Sequence, residues 1–262
     1  MASKPTVALV PGAWHTPVHF DILISFLDAE GYPTVSKQLP SVDTATPATT
    51  TSEGDSQFII DQVLTPLLDD GKDVVLVAHS YGGCPAGAAA NGLSKGERTA
   101  AGKKGGIIGL IWIAAYIAPS NVSVYTLASM YEASGKVKDW IEHDTPSAGY
   151  NIPKTIKMKE VFYNDIPDAI ANVAIEEVKK ISVTAVSTGA STPGWANPGY
   201  QGRLAYVRTA LDNAITAFAQ DDMMQRSGVT WDVHAFNTSH SPFLSQPQAL
   251  AQTIHTLAKA WS

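Results

Sequence analysis

The sequence has one cysteine and no long hydrophobic segment. Cys84 alone cannot form a disulfide within the chain, and Met1 to Pro5 carries no apolar signal segment, so we expect an intracellular, cytoplasmic protein. The most apolar stretch, Ile107 to Ala118, is far shorter than the ~20 residues that a membrane-spanning helix needs. It predicts a buried strand, and no membrane association is expected.

Positive charge is also scarce. Eighteen Lys and Arg stand against 24 Asp and Glu, which gives a formal net charge of -6. Without a basic block the chain is not expected to bind nucleic acid, because a phosphate backbone demands clustered positive charge. The sequence also lacks the glycine-rich strings of dinucleotide-binding folds and P-loops. The expected partner is a small-molecule substrate, and a homodimer stays open.

The 262 residues are 45% hydrophobic and 16% charged, which is enough to bury a sizeable core and excludes a disordered chain. Three runs are continuously apolar, which is typical of strands covered on both faces of a parallel sheet: Val7 to Val10, Val74 to Ala78 and Ile107 to Ala114. Helical spacing follows between or after them at Phe20 to Glu30, Phe58 to Leu68 and Pro85 to Leu93. This alternation predicts an α/β fold with a doubly wound, mostly parallel sheet of about six strands.

The pattern changes after Pro119. Residues 121–203 are richer in Pro, Lys and scattered aromatics, with one clear helix at Pro167 to Lys180. The core pattern then resumes with strands at Leu204 to Thr209 and Val229 to Phe236 and helices at Ala214 to Arg226 and Gln248 to Trp261. We therefore expect a core of residues 1–118 and 204–262, with residues 119–203 inserted after a central strand as a helical lid.

A serine stands where the second apolar run meets a helix, in the segment Val74 to Gly83, VVLVAHSYGG. This segment resembles a nucleophile elbow, in which strand and helix come so close that the residues two before and two after the serine must be small. Ala78 and Gly82 meet that requirement around Ser80. The alternative is an ordinary helix N-cap, for which Ser is a favoured residue.

A nucleophilic serine needs backbone N–H donors for the oxyanion that forms when it attacks a carbonyl. The residue after the nucleophile, Tyr81, is expected to supply one donor. The loop after the first strand is expected to supply the other from Ala13, because Gly12 permits close approach of the backbone. The alternative is a tight turn that simply requires glycine.

The serine also needs an imidazole to take its proton and a carboxylate to orient that imidazole. His240 lies in a polar loop after the last strand and is the preferred base, whereas His79, His234 and His255 are expected to be packed or solvated histidines. Asp212 is the first carboxylate after the strand Leu204 to Thr209. Asp212 as a helix N-cap, and Asp221 or Asp222 as the carboxylate, remain alternatives.

Together these segments resemble the α/β-hydrolase family, and within it the small plant methyl esterases and hydroxynitrile lyases with their fungal and bacterial relatives. The matching segments are Leu9 to His15, Val75 to Gly83, Asp212 to Ile215 with Gln220, and Ser239 to Phe243 before Gln246 and Pro247. The inserted residues match only loosely, around Phe162 to Asp165. The resemblance implies a triad of Ser80, Asp212 and His240, with no metal and no organic cofactor.

Two positions depart from the lyases of this branch. Those enzymes carry Thr at the position of Gly12 and Lys directly after the catalytic histidine, where this chain has Ser241. Lyase activity is accordingly disfavoured. The plant enzymes also usually have His where this chain has Pro11, which affects the turn more than the chemistry.

The expected function is that of a cofactor-free serine esterase or lactonase acting on a small, largely apolar or aromatic ester or lactone through an acyl-enzyme. Two alternatives remain: a receptor-like binding protein with slow turnover, and a C–C bond hydrolase or lyase that uses the same triad. Eight residues are candidates for the substrate pocket, although aromatics at such spacings also serve as lid core: Trp14, Tyr116, Tyr125, Met130, Trp140, Phe162, Trp195 and Phe243.

Overall fold

A computed structural model describes residues 4–131 and 139–262 of the chain. Its strands, in chain order, are β1 (Thr6–Val10), β2 (Thr34–Ser36), β3 (Val74–His79), β4 (Ile107–Ile113), β5 (Ile141–His143), β6 (Tyr150–Pro153), β7 (Ile181–Ser182), β8 (Leu204–Thr209) and β9 (Asp232–Phe236). The helices are α1 (Asp21–Ala29), α2 (Ser52–Ile59), α3 (Thr65–Asp69), α4 (Gly83–Ala89), α5 (Lys95–Ala100), α6 (Val124–Tyr131), α7 (Thr155–Phe162), α8 (Asp168–Glu176), α9 (Val183–Ser187), α10 (Ala217–Ser227), α11 (Pro242–Ser245) and α12 (Pro247–Trp261).

Six strands form one parallel sheet in the order β2-β1-β3-β4-β8-β9. Every residue of β1, β3 and β4 is buried. Because successive side chains of a strand point to opposite faces, burial of all of them means that both faces are covered. The predicted α/β fold is thereby confirmed. The short strand β2 completes the sheet, although its three residues lack the apolar run that marked the others.

The parallel order of the sheet places the carboxyl ends of its strands at one edge. The loops after β1, β3, β8 and β9 all leave the carboxyl ends of their strands, and these ends lie along one edge. In open α/β sheets this edge carries the ligand-binding crevice. The loops that contain Ala13, Ser80, Asp212 and His240 therefore start along this edge, two of them on each side of β4.

The chain between β4 and β8 contains α6 to α9 and a separate antiparallel sheet in the order β5-β6-β7. The predicted helix at Pro167 to Lys180 is α8, which ends at Glu176. The three-stranded sheet was not predicted, because strands of two to four residues carry too little periodicity to detect. The division at residues 119 and 203 stays a prediction. Among the described helices, none has the length and apolar composition required to span a bilayer.

The last helix closes the core against the middle of the sheet. Leu250, Ile254, Leu257 and Trp261 are buried, as the apolar spacing of this helix predicts. Gly109 on the central strand β4 leaves the space that the Trp261 indole fills, because a Cβ atom at residue 109 would overlap the ring.

We expect Gly109→Ala to lower the free energy of unfolding by about 1–3 kcal/mol, because the added methyl group forces the Trp261 ring out of its site. Gly96→Ala is the matched control, since a Cβ atom there meets nothing within 4 Å and the residue lies in α5. That variant should be unchanged or more stable. Urea unfolding of both variants provides the test. Equal stability of Gly109→Ala and wild type would contradict this packing of Trp261 on Gly109. In a Trp261→Leu background, the same Gly109→Ala substitution should cost less stability, because the indole ring is absent.

Candidate active site

The turn between β3 and α4 holds Ser80 in a left-handed backbone conformation, with φ of 53°. Such a conformation costs a non-glycine residue roughly 1–3 kcal/mol and persists only where the surroundings impose it. The surroundings are close on both sides: a Cβ atom at Gly82 would lie 2.5 Å from the Pro11 carbonyl oxygen, and one at Gly83 would lie 2.5 Å from that of Tyr116. The N-cap position of α4 is Gly82, so Ser80 is not a capping residue of this helix.

The loop after β1 lies directly against this turn. A Cβ atom at Gly12 would stand 2.8 Å from Ser80 Cβ, so only glycine allows this approach. Farther along the loop, the Trp14 carbonyl oxygen accepts a hydrogen bond from the Lys179 N–H at 2.9 Å. His15 Nδ1–H donates to the Ala13 carbonyl oxygen at 2.8 Å. These bonds constrain the backbone around Ala13, in the loop that Gly12 brings against Ser80.

Asp212 and His240 form a buried hydrogen-bonded pair, with 2.7 Å between Asp212 Oδ2 and His240 Nδ1. Asp212 Oδ1 accepts from the backbone N–H groups of Ala214 at 2.7 Å and Ile215 at 2.9 Å. Because α10 begins only at Ala217 and Thr216 caps it, Asp212 is not its N-cap. The pair leaves Nε2 of His240 as the ring nitrogen that can accept a proton.

Gln220 on α10 holds the end of β8 next to this pair. Its Nε2 donates to the Thr209 carbonyl oxygen at 3.1 Å and to Asp212 Oδ2 at 3.3 Å, and its Oε1 accepts from the Thr209 N–H at 3.0 Å. Thr209 Oγ1 also donates to Asp212 Oδ2, at 2.9 Å. The sequence drew attention to Gln220 only as part of a matching segment and did not indicate its contact with the carboxylate.

The alternative carboxylates have other partners. Both carboxylate oxygens of Asp221 bind Arg208, at 2.6 and 2.8 Å. Asp222 accepts from the Tyr131 hydroxyl at 2.8 Å and from Arg226 at 2.5 Å. Asp212 is therefore the carboxylate of the three that the structure brings to His240.

His79 lies beneath His240 and supports its loop. Its Nε2–H donates to the His240 carbonyl oxygen at 3.0 Å, and the two ring centroids are 4.5 Å apart. Burial lowers the pKa of His79 well below its ordinary value, and the neighbouring His240 lowers it further. Burial also lowers the pKa of His15, whose Nε2 accepts from the Tyr163 hydroxyl at 2.9 Å. Both imidazoles are therefore neutral at neutral pH.

A second buried pair lies behind the turn. The Tyr81 hydroxyl donates to Asp55 Oδ2 at 2.7 Å, and Asp55 Oδ1 accepts from the Ser41 N–H at 3.0 Å. Burial raises the pKa of the Asp55 carboxyl to about 6. The same burial, together with Asp55, raises the pKa of Tyr81 well above its ordinary value. The sequence did not indicate Asp55, because a lone acid on a helix is usually solvated.

Ser80, His240, Ala13 and Tyr81 line one cavity, which measures about 730 Å³ including its open mouth. Its described wall is mostly apolar and includes no Lys, Arg, Asp or Glu. Of the eight candidate pocket residues, five line this cavity: Trp14, Tyr116, Tyr125, Trp140 and Phe162.

The other three candidates lie elsewhere. Phe243 is fully buried between Phe20 and His79, with ring centroids 4.9 Å from each. Trp195 packs its ring near Gly87 on α4. Met130 is 54% exposed on α6. Their spacing in the sequence could not distinguish the cavity wall from core or surface, because that depends on which elements pack against each helix.

Comparison with known proteins agrees with this geometry. A sequence model described as the alpha/beta hydrolase family matches residues 7–253. The alpha/beta hydrolase nvfD of Aspergillus novofumigatus (strain IBT 16806) is 27% identical over 256 residues, which cover 97% of each protein.

Two solved structures share the fold at low sequence identity. A pyrethroid hydrolase from Sphingobium faniae JZ-2 superimposes with a TM-score of 0.71 at 20% identity, over 98% of each chain. The methylesterase MES16 from Arabidopsis superimposes with a TM-score of 0.70 at 18% identity, over 97% of this chain and 99% of the other. At these identities the structural similarity is evidence for the fold alone.

The buried carboxyl of Asp55 predicts a pH-dependent stability. Its folded-state pKa of about 6 lies above the ordinary ~4, so the folded protein binds this proton more tightly than the unfolded chain. The resulting stabilisation is fully present below pH ~4 and is lost as the pH rises through about 6. Its full size is about 3 kcal/mol.

Asp55→Asn removes this contribution. Urea titrations give the free energy of unfolding of Asp55→Asn and of wild type at neutral pH and in mild acid. The value for the variant minus the value for wild type should be higher at neutral pH, by up to about 3 kcal/mol. Asp61→Asn on the exposed side of the same helical segment is the control and should show no such difference. A pH-independent difference between Asp55→Asn and wild type would contradict the assignment.

Proposed function

The chain belongs to the alpha/beta hydrolase family, and from this premise we propose that it is a serine hydrolase that cleaves a small, neutral, largely apolar ester or lactone. Ser80 would be the nucleophile, His240 the general base and Asp212 the carboxylate that orients it. The backbone N–H groups of Ala13 and Tyr81 would bind the oxyanion. No metal or organic cofactor enters this scheme.

One observation carries the proposal. The His240 ring is bound through Nδ1 to a buried carboxylate, and it lines the same cavity as the strained Ser80. This is the relation that a triad needs: a carboxylate selects the tautomer whose Nε2 accepts a proton, and the serine stands at a turn that exposes its hydroxyl. The two proposed oxyanion donors belong to residues at the wall of that cavity.

In the proposed reaction His240 Nε2 takes the proton of the Ser80 hydroxyl as Oγ bonds to the substrate carbonyl carbon. The negative charge of the carbonyl oxygen is stabilised by the two N–H donors. The C–O bond to the leaving alcohol then breaks, and the alcohol receives the proton from His240. Water attacks the acyl-enzyme by the same steps, which releases the acid and restores the Ser80 hydroxyl. In a lactone, acid and alcohol are parts of one product.

The cavity wall supports a neutral, apolar substrate, since no described lining residue is a lysine, arginine, aspartate or glutamate. The tight contact at Gly12 further argues against the lyase alternative. A threonine there would bring its Cβ atom to 2.8 Å from Ser80 Cβ, so the side chain would require a different arrangement of the loop. The residue after His240 is Ser241, which has no positive charge.

We expect Ser80→Ala to abolish labelling by a fluorophosphonate and to reduce hydrolysis of p-nitrophenyl acetate by about 10³-fold or more, because the nucleophile is removed. Ser129→Ala is the matched control, because Ser129 also lines the cavity but donates its hydroxyl to the Tyr125 carbonyl oxygen at 2.7 Å. That variant should still be labelled. Equal labelling of wild type and Ser80→Ala would refute the nucleophile, and labelling without useful turnover would favour the receptor-like alternative.

We expect Asp212→Asn to reduce turnover by up to ~10⁴-fold. The asparagine amide would donate to His240 Nδ1, which moves the ring proton to Nε2 and leaves no base toward the serine. Asp221→Asn serves as the control, because Asp221 pairs with Arg208. Steady-state kinetics of both variants test the assignment, and a loss of less than about tenfold in Asp212→Asn would argue against it.

A further inference from the structure

The part of the cavity wall formed by β6 carries a polar group for which the described residues provide no acceptor. Asn151 lines the cavity and is only 5% exposed. Its Oδ1 accepts a hydrogen bond from His143 Nδ1–H at 3.1 Å. Among residues 4–131 and 139–262, no group accepts a hydrogen bond from its Nδ2. Within the described part of the chain, the amide therefore has free donors at the edge of the cavity.

The position of this amide is well defined by its neighbours. Asn151 pairs with His143 on β5 and with Ile181 on β7, so it stands on the central strand of the small sheet. Its backbone carbonyl oxygen accepts a hydrogen bond from Trp14 Nε1 at 3.1 Å. Because Trp14 directly follows Ala13, this bond ties the amide to the loop that would bind the oxyanion. A substrate held at Ser80 would thus meet the Asn151 amide at a fixed place.

The apolar surroundings of the amide favour ligands that accept its hydrogen bonds over ligands that do not. The same wall includes Trp14, Trp140, Ile141 and Phe162, which offer the amide no alternative acceptor in their side chains. A buried donor left without a partner costs about 1–3 kcal/mol. A ligand that displaces water from the amide without replacing its hydrogen bond loses affinity accordingly. An acceptor oxygen on the ligand would meet the donors and avoid this loss.

We propose that Asn151, held by His143, forms a polar subsite that binds a neutral acceptor oxygen of the substrate, such as a ketone or ether oxygen, remote from the carbonyl that Ser80 attacks. The assignment rests on the proposed function. It defines the substrate class as an oxygenated ester or lactone with a second acceptor group on an apolar frame. A carboxylate is disfavoured, because the described cavity wall contains no lysine or arginine to compensate its charge.

Matched pairs of p-nitrophenyl esters test the subsite. One member of each pair carries a ketone oxygen on the acyl chain and the other a methyl branch at the same carbon, and the substituted carbon is moved one step at a time along the chain. The quantity compared is the ratio of kcat/KM for the keto ester to kcat/KM for the methyl ester. For at least one position, this ratio should be about tenfold or more higher in wild type than in Asn151→Asp. This variant keeps the side-chain shape but replaces the donors by a carboxylate oxygen.

Two further variants secure the interpretation. Asn151→Leu also lacks the donors and should lose the same preference, whereas Ser129→Ala alters another polar residue of the wall and should keep it. The expected result is a preference that depends on residue 151 and on the position of the ketone. The same keto-to-methyl ratio in wild type, Asn151→Asp and Asn151→Leu at every position would overturn the proposal.

Binding measurements test the subsite independently of hydrolysis. The same ester pairs are titrated into Ser80→Ala and into Ser80→Ala/Asn151→Asp, with the fluorescence of Trp14 and Trp140 at the cavity wall as the signal. We expect Ser80→Ala to bind the keto member about tenfold more tightly and the double variant to show no preference. Equal binding of both members by Ser80→Ala refutes the subsite. A preference in binding without turnover by wild type refutes the hydrolase and retains the subsite.

Discussion

The left-handed backbone of Ser80 constrains how the adjoining strand, helix and loop pack at the cavity. A strand and a helix can meet at this angle only if their neighbours come within contact distance of bare backbone, and Gly12, Gly82 and Gly83 supply that backbone. The conformation costs roughly 1–3 kcal/mol, which the surrounding structure must offset. The fully buried strands β1 and β3 on which these loops stand provide the rigid frame that does so.

Buried polar groups then position the loops that surround this turn. Asp212 holds His240 from one side, while His79 donates to the His240 carbonyl oxygen from below. Asp55 holds the Tyr81 side chain behind the turn. Because hydrogen bonds are stronger in a low-dielectric interior and unpaired groups there are costly, such contacts favour one arrangement of the loops over its alternatives. These buried polar contacts thus stabilise the loops that carry His240 and Tyr81.

The two parts of the cavity carry different properties. The edge of the parallel sheet presents Ser80, His240 and the backbone of Ala13 and Tyr81, which the proposed reaction would use to attack the ester and to bind its oxyanion. Residues of the chain between β4 and β8, including Trp140, Asn151 and Phe162, form another part of the wall. Under the proposed function, substitutions among these residues would alter the substrate while leaving Ser80 and His240 in place.

The sequence alone determined the parallel α/β core, because buried strands and the small residues around Ser80 leave their mark among residues that are neighbours in the chain. It also indicated Asp212 and His240, which the structure brings together, although their catalytic roles stay a prediction. Only the tertiary structure decided that Met130, Trp195 and Phe243 lie away from the cavity, and that Asp55 and Asn151 belong to its surroundings. Asn151 contacts Trp14 across 137 positions of sequence. Whether a side chain faces core, solvent or cavity depends on such distant contacts, which local spacing does not record.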